Sequence, residues 1–242
     1  MIDKTPVRIA GMFNAIAGRY DALNRILTVG FDRRWRTKAV KSLRLTGTET
    51  VLDLCTGTAD VPIALIRDLP GAATVVGIDF AAEMLRIGRR KRDAHALAKQ
   101  LHLLRADATK VPMASETVDA ASIAFGIRNV VDPVLALREL HRVVRPGGRI
   151  AILEFGMPDF PGIRTLYKWY FHRVLPWIGR VISGHDSAYT YLPASVGEFP
   201  SGSDFCRLLD GTGFCDTRAT SLQFGIVYLY EAVRSEVARL DR

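Results

Sequence analysis

Apolar residues along this chain follow two rhythms. Over residues 5–45 they recur at helical spacing: Ile9, Met12, Phe13, Ile16 and Tyr20 share one face, and a second helical pattern runs from about 32 to 43. From residue 50 onward, short runs of β-forming apolar residues take turns with helical stretches. The runs predict strands at 50–55, 74–79, 101–106, 118–125 and 148–155, and the stretches between them predict helices over 60–69, 81–99 and 132–145. Asp132 is placed to cap the last of these, with Pro133 just inside it. Pro146-Gly147-Gly148 should end that helix and turn into the fifth strand. This alternation implies an α/β fold, a mostly parallel sheet with helices on both faces. The two N-terminal helices stand outside the rhythm and are expected to form a lid over its C-terminal edge, where ligands bind.

After Glu154 the rhythm breaks. Residues 161–183 are aromatic-rich (Tyr167, Trp169, Tyr170, Phe171, Trp177), and 183–202 reads as a loop carrying Tyr189, Tyr191 and Phe199. Together 157–202 is expected to be an insertion completing a substrate cavity. One more helix over 203–211 and a closing antiparallel pair, 214–221 with 225–233, finish the chain.

The first strand-to-helix junction carries the chemistry. Val51, Leu52 and Leu54 give way to Cys55-Thr56-Gly57-Thr58-Ala59-Asp60, and a helix follows. A small-residue turn lets a ligand approach the main chain, and the helix start supplies free N–H groups. The dinucleotide pattern of three glycines is missing, as is a phosphate-loop Gly-Lys-Ser/Thr ending. Asp53 and Asp60 flank the turn and suit a sulfonium better than a pyrophosphate, which points to S-adenosylmethionine. An ordinary α/β turn is the competing reading. Asp79 ends the second strand, 22 residues after Gly57, where a carboxylate binds ribose hydroxyls and repels a 2′-phosphate. Asp107, after the third strand, is placed to accept from an adenine amino group. Either aspartate alone could be a turn residue; both together fit an adenosyl group better.

The fourth strand ends in Ala124-Phe125-Gly126-Ile127-Arg128-Asn129. It lacks the Asn/Asp-Pro-Pro-aromatic run that grips a nucleic-acid amine. Arg128 and Asn129 could instead stabilise a phenolate oxygen; the alternative for Arg128 is a salt bridge to a helix carboxylate such as Glu139.

Charge adds a partner. Of the net +8, the first 48 residues hold +7, ten basic residues against three acidic ones, so the body is nearly neutral. This argues against a nucleic-acid-binding surface and fits a segment that touches anionic headgroups, with a solvated helix face as the alternative. Three unpaired-looking cysteines and the lack of a signal-peptide core or membrane-length apolar run make a cytoplasmic protein, or one peripheral at the inner face of the membrane, the expectation.

Several motifs together resemble the ubiquinone/menaquinone biosynthesis C-methyltransferase family (UbiE/MenG), over about residues 5–233. They are Tyr20-Asp21-x-Leu23-Asn24-x-x-Leu27-Thr28 with Asp32 and Trp35, then Phe125-Gly126-Ile127-Arg128-Asn129-Val130. Next come Arg142-Val143-Val144-Arg145-Pro146-Gly147-Gly148-Arg149 with Leu153-Glu154-Phe155, and later His172 to Gly179 and Tyr189-x-Tyr191-Leu192-Pro193. The resemblance implies a class I S-adenosylmethionine-dependent methyltransferase with a Rossmann-like seven-stranded sheet, order 3-2-1-4-5-7-6. It implies one domain: lid 1–48, cofactor-binding half 49–156, substrate-cavity insertion 157–202, and C-terminal helix and strand pair 203–242. Implied cofactor contacts are Asp53, Gly57, Thr58, Asp79, Phe80, Asp107, Ala108 and Ala124. Arg128, Asn129 and Tyr20 are implied beside the ring of a polyprenyl quinol; the chemistry read from these residues adds Tyr20 or His172 as proton relay, and no metal is expected. A homodimer is among the implied assemblies.

The chain departs from the family at Ala59, where a glycine is usual, at Asp32, where histidine is usual, and at Ala124 and Gly156, where serine is usual. The acceptor named by this reading is a benzoquinol or naphthoquinol ring carbon. A soluble phenolic or sugar acceptor and a non-catalytic cofactor-binding scaffold are the other classes in view.

Overall fold

The computed structural model describes residues 3–68, 71, 73–158, 160–169, 173 and 186–236. Five strands run parallel: β1 (Thr50–Leu54), β2 (Thr74–Asp79), β3 (Leu101–Arg105), β4 (Val118–Ala124) and β5 (Val144–Phe155). Next, β6 (Phe214–Leu222) and β7 (Val227–Arg234) form an antiparallel pair, and β7 inserts antiparallel beside β5. The sheet order is β3-β2-β1-β4-β5-β7-β6, as expected. Chain direction across the sheet reverses between β1 and β4, and the crevice beyond their C-terminal ends is where such sheets hold ligands.

The central strands are apolar on both faces because both faces are covered. Leu52 and Leu54 pack into one core with Ala136, Leu137 and Leu140 of α5 (Pro133–Val143) and Phe205 and Leu209 of α8 (Ser203–Gly211). Val51 joins the opposite core with Val61 and Leu65 of α3 (Asp60–Asp68) and Leu85 of α4 (Ala82–Ala94). The side chain of Asp132 accepts from Leu135 N and starts α5, with Pro133 in its first turn. At its other end α4 stops at Ala94 rather than near 99. Ala96 turns left-handed (φ 56°), and Leu97 N donates back to Arg92 O, closing the helix.

Two expectations need correction at the edges. Pro146-Gly147-Gly148 does not end α5, which stops at Val143; it lies inside β5. Pairing with β4 jumps from Val118–Val144 to Ala120–Arg149, so 145–148 bulge out of the ladder, with Gly147 at φ 76°. The stretch 183–202 is not a loop throughout: α7 spans Asp186–Glu198, with Pro193 inside it. A proline forfeits one helical hydrogen bond, and burial of Ser195, Val196 and Phe199 at the end of this segment outweighs that loss. The other helix of the insertion, α6, covers Pro161–Trp169.

The N-terminal helices are α1 (Pro6–Leu27) and α2 (Phe31–Ser42), joined by a tight corner with Val29 and Gly30 at positive φ. They do not act as one lid. Trp35, Ala39, Val40 and Leu43 of α2 are buried in the same core as Val51, Ala120 and Leu153, so α2 covers the sheet face itself. Trp35 Nε1 also donates to Gln223 Oε1 between β6 and β7. Ile16, Ala17 and Leu23 of α1 pack instead on Ala81 and Met84 at the start of α4 and on Tyr167.

Candidate active site

The β1–α3 turn has the strained geometry of a ligand-approach loop. Gly57 sits at φ 55°, and Cys55 and Ala59 adopt φ 59° and 65°, conformations that L-residues occupy only when the surroundings impose them. Gly126, across the crevice, is required by this turn: a Cβ there would collide with Cys55 Cβ. Gly57 N donates to Asp79 Oδ2 (2.8 Å), and Ala81 N donates to Asp79 Oδ1 (2.8 Å). Burial raises the Asp79 carboxyl above its ordinary value despite these bonds. The two expected adenosyl-binding elements are thus in direct contact.

Two connected clefts open around this turn. One, about 410 Å³, is lined by Gly57, Asp79, Phe80, Ala124, Gly126 and Asn129, among others. The second, about 350 Å³, lies between the turn and α2 and includes Asp53, Thr58, Asp60 and Arg36. Asp53 is 1% exposed and accepts from Ser122 Oγ at 2.5 Å. Burial pushes its pKa up to about 7. Thr58 is buried too, but its hydroxyl faces the N-terminal helices: it donates to Asp21 Oδ1 (2.6 Å) and accepts from Lys91 Nζ (3.0 Å). Lys91 also pairs with Asp21 and Asp60 (both 2.6 Å), and Arg36 bridges Asp60 (2.7 Å) and Asp32 (3.1 Å). This network ties α1 and α2 to α3 and α4 over the turn. Burial works against ionised Asp60, and Arg36 and Lys91 nonetheless hold its pKa below the ordinary value.

Asp107 and Ala108 stand apart from the lining of these clefts. Asp107 is one strand further out and exposed, closing its own turn by accepting from Thr109 N (2.8 Å) and Thr109 Oγ1 (2.9 Å). Ala108 packs in the core beneath it. His172 lies outside the described residues.

A larger and mostly apolar cavity, about 990 Å³ including its mouth, lies between α1, α2, α6, α7 and the strand ends. Met12, Phe13, Ile16, Leu23 and Leu27 of α1 line one wall, and Trp35, Phe125, Phe155 and Tyr191 line others. Tyr20 and Phe125 line this cavity and both clefts, so they form the shared wall. Burial raises the Tyr20 phenol above its ordinary value. Phe125 holds φ 60°, strained for a bulky side chain.

Arg128 and Asn129 occupy a short 3-10 turn, Ile127–Asn129, after β4. Both donate to Phe125 O, at 2.7 and 3.3 Å. Arg128 is 6% exposed and pairs with Glu154, itself 1% exposed, at 2.6 Å. Glu154 also accepts from Arg128 N and Phe155 N. The alternative partner Glu139 is excluded: its carboxylate binds Arg142 and Val111 N. Arg128 lines the large cavity and Asn129 the cleft; Arg128 Nε and Asn129 Oδ1 are buried without a hydrogen-bond partner among the described residues. Buried polar atoms left open at a cavity wall are what a ligand's oxygen or hydroxyl would satisfy. Sequence reasoning missed Glu154 as the support of Arg128. The signal was a single acid in the apolar run Ile150-Ala151-Ile152-Leu153.

The model of the ubiE/COQ5 methyltransferase family matches residues 1–234. The chain belongs to this family. It is 46% identical over 223 residues to the ubiquinone/menaquinone biosynthesis C-methyltransferase UbiE of Geobacter sp. (strain M21), covering 92% of this chain and 94% of that protein. To the demethylmenaquinone methyltransferase of Thermus thermophilus it is 44% identical over 219 residues, covering 90% and 98%. Among solved structures, an S-adenosylmethionine-dependent methyltransferase of Aquifex aeolicus superposes with a TM-score of 0.61 at 21% identity, covering 82% of this chain and 89% of that one. The cyclase SpnF superposes at 0.69 with 14% identity, covering 94% and 95%. These two likenesses establish the fold, which serves more than one chemistry. Gly156 is held to glycine by its surroundings. A Cβ there would stand 2.6 Å from the Tyr228 ring.

Proposed function

We propose that the chain transfers a methyl group from S-adenosylmethionine to a ring carbon of a polyprenylated benzoquinol or naphthoquinol, in menaquinone or ubiquinone biosynthesis. The observation that carries this reading is the wall shared by a polar, glycine-turn cleft and an apolar cavity, formed by Tyr20 and Phe125. A donor and a ring acceptor in these two spaces would meet there. We read the whole chain as one working unit for this purpose.

The cleft residues fit the donor. Asp79 with the Gly57 turn would hold the ribose, Phe80 and Ala124 would flank the base and sulfur, and Asp107 is one strand away for the adenine edge. The donor supplies an electrophilic methyl on a sulfonium. The rest falls to the protein: keep the ring in line, exclude water, and stabilise the ring oxygen as it ionises, since that ionisation makes the adjacent carbon nucleophilic. Arg128 is suited to the oxyanion because Glu154 fixes its guanidinium while leaving Nε open. Asn129 and Tyr20 would orient the same oxygen from the donor side.

The prenyl chain of such an acceptor belongs in a bilayer, and the N-terminal helices suit its surface. No helix among the described residues is long and apolar enough to cross a membrane. The corner between α1 and α2 exposes Ile26 and Val29 beside exposed Arg25, Arg33 and Arg34, an apolar tip ringed by cations. The function is tested by assaying methyl transfer to short-tail demethylmenaquinol and ring-demethylated benzoquinols against soluble phenols. Turnover on the quinols with a collapse of at least 100-fold in Arg128→Ala is expected; turnover on soluble phenols alone would overturn the reading. Binding to anionic vesicles that weakens in high salt is expected of the basic helices, and salt-independent partitioning would contradict it.

A further inference from the structure

Asp32 is a buried carboxylate that this scheme does not use. It sits in the first turn of α2, is 3% exposed, and lines the large cavity with Tyr20, Trp35 and Arg128. Among the described residues lining that cavity it is the only carboxylate. Its Oδ1 lies 3.1 Å from Thr28 Oγ1, a hydroxyl that also donates to Asn24 O (2.7 Å), and its Oδ2 makes an ion pair with Arg36 Nη1 (3.1 Å). An ionised carboxylate offers roughly four acceptor positions and no donor, so these two contacts leave acceptor capacity open. Arg36 is itself shared with Asp60, which places it in the ion-pair network and holds Asp32 in its rotamer.

We propose that Asp32 reads the redox state of the acceptor ring, accepting a hydrogen bond from a ring hydroxyl of the quinol and rejecting the quinone. This rests on the ring-methylation reading above. The quinol carries O–H donors; the quinone presents only carbonyl oxygens. A carboxylate facing a carbonyl across an apolar cavity gains no hydrogen bond and sets acceptor against acceptor, which such a site does not tolerate. The other charged groups on the cavity wall, Arg36 and Arg128, offer donors alone and would bind either ring form. Among the charged groups, discrimination therefore falls to Asp32, and in the useful direction, because only the reduced ring carries a nucleophilic carbon.

The experiment measures dissociation constants of the wild-type protein, loaded with S-adenosylhomocysteine, for a short-tail demethylmenaquinol and the matching quinone, by quenching of tryptophan fluorescence under anaerobic conditions. The expected quinol preference is at least tenfold, the scale of one charge-assisted hydrogen bond. In Asp32→Asn, whose amide can donate to a carbonyl, that preference should fall below threefold. Equal affinity for both ring forms in the wild type, or an unchanged preference in Asp32→Asn, would overturn the proposal. If the Asn variant does not fold, Asp32→Glu displaces the carboxylate by one methylene; a preference altered by threefold or more supports the assignment and an unaltered one overturns it. Failure to bind either ring form, with binding of soluble phenols intact, would instead count against the quinol-methylation reading itself.

Discussion

Replacing Asp53 by Asn should make stability less dependent on pH, with the gain largest at and above pH 7. Asp53 is 1% exposed in the middle of β1, and its pKa is about 7 in the folded protein against 3.8 as its ordinary value. Between those two values the folded chain holds a proton that the unfolded chain has lost, so this group makes stability fall as pH rises. Below about 4 both states are protonated and the group contributes nothing; above about 7 both are ionised and the penalty stays level. A gap of about three pH units corresponds to about 4 kcal/mol at the plateau. Asn resembles the neutral acid in shape and can still accept from Ser122 Oγ, so the variant should lack this penalty. Urea unfolding at pH 4.5, 6, 7 and 8.5 reads the difference directly. The stability of Asp53→Asn minus that of the wild type should climb by about 3–4 kcal/mol from the lowest pH to pH 7 and then flatten. A difference that stays constant across this range would refute the idea that a buried, neutral-at-acid-pH carboxyl lies under the turn.

Other perturbations test the remaining parts of the site. Glu154→Gln leaves the buried Arg128 charge without its counter-ion and should destabilise by about 3 kcal/mol, lowering Tm by roughly 6–12 °C; calorimetry showing no change would mean the pair is not internal. Ala59→Gly relieves a left-handed backbone worth about 1–2 kcal/mol and loses a buried methyl worth about 0.8, so a gain of up to about 1 kcal/mol is expected in chemical denaturation. A loss greater than 1 kcal/mol would contradict the strain described at that turn. Lys91→Met removes the tie between α1, Thr58 and Asp60 and should raise the KM for S-adenosylmethionine several-fold, with a smaller effect in 0.5 M salt; an unaltered KM would separate the network from the cleft.

Much of this was legible in the sequence because the controlling forces are local. The strand-helix alternation exposes the period of a two-sided sheet, and Asp132-Pro133 announces a helix start through its own capping chemistry. That Gly57 and Asp79 lie near each other was also readable, since the turn after one strand and the end of its neighbour come together; the direct hydrogen bond between them was not. What escaped depends on pairings between distant segments. Arg128 has carboxylates within reach on both a helix and a strand, and only the packing of β5 beside β4 selects Glu154 over Glu139. The 145–148 bulge imitates a helix stop because proline and glycine punctuate both. Pro193 hid a helix for the same reason. The N-terminal helices looked alike as amphipathic stretches, although Trp35 belongs to the main core and Met12 to the cavity wall.

That difference between α1 and α2 limits how the enzyme can change acceptors. Because α2 is fastened through Trp35 and its apolar neighbours to the sheet, swapping or deleting the N-terminal segment as a module would strip a core face and leave a chain prone to aggregate. α1 can be retailored through the residues it turns toward the ring space, whereas α2 offers only positions such as Asp32 that lie on the cavity wall and off its packed face. A family built this way would diversify by point changes along the cavity wall, keeping the packed face of the second helix as fixed masonry.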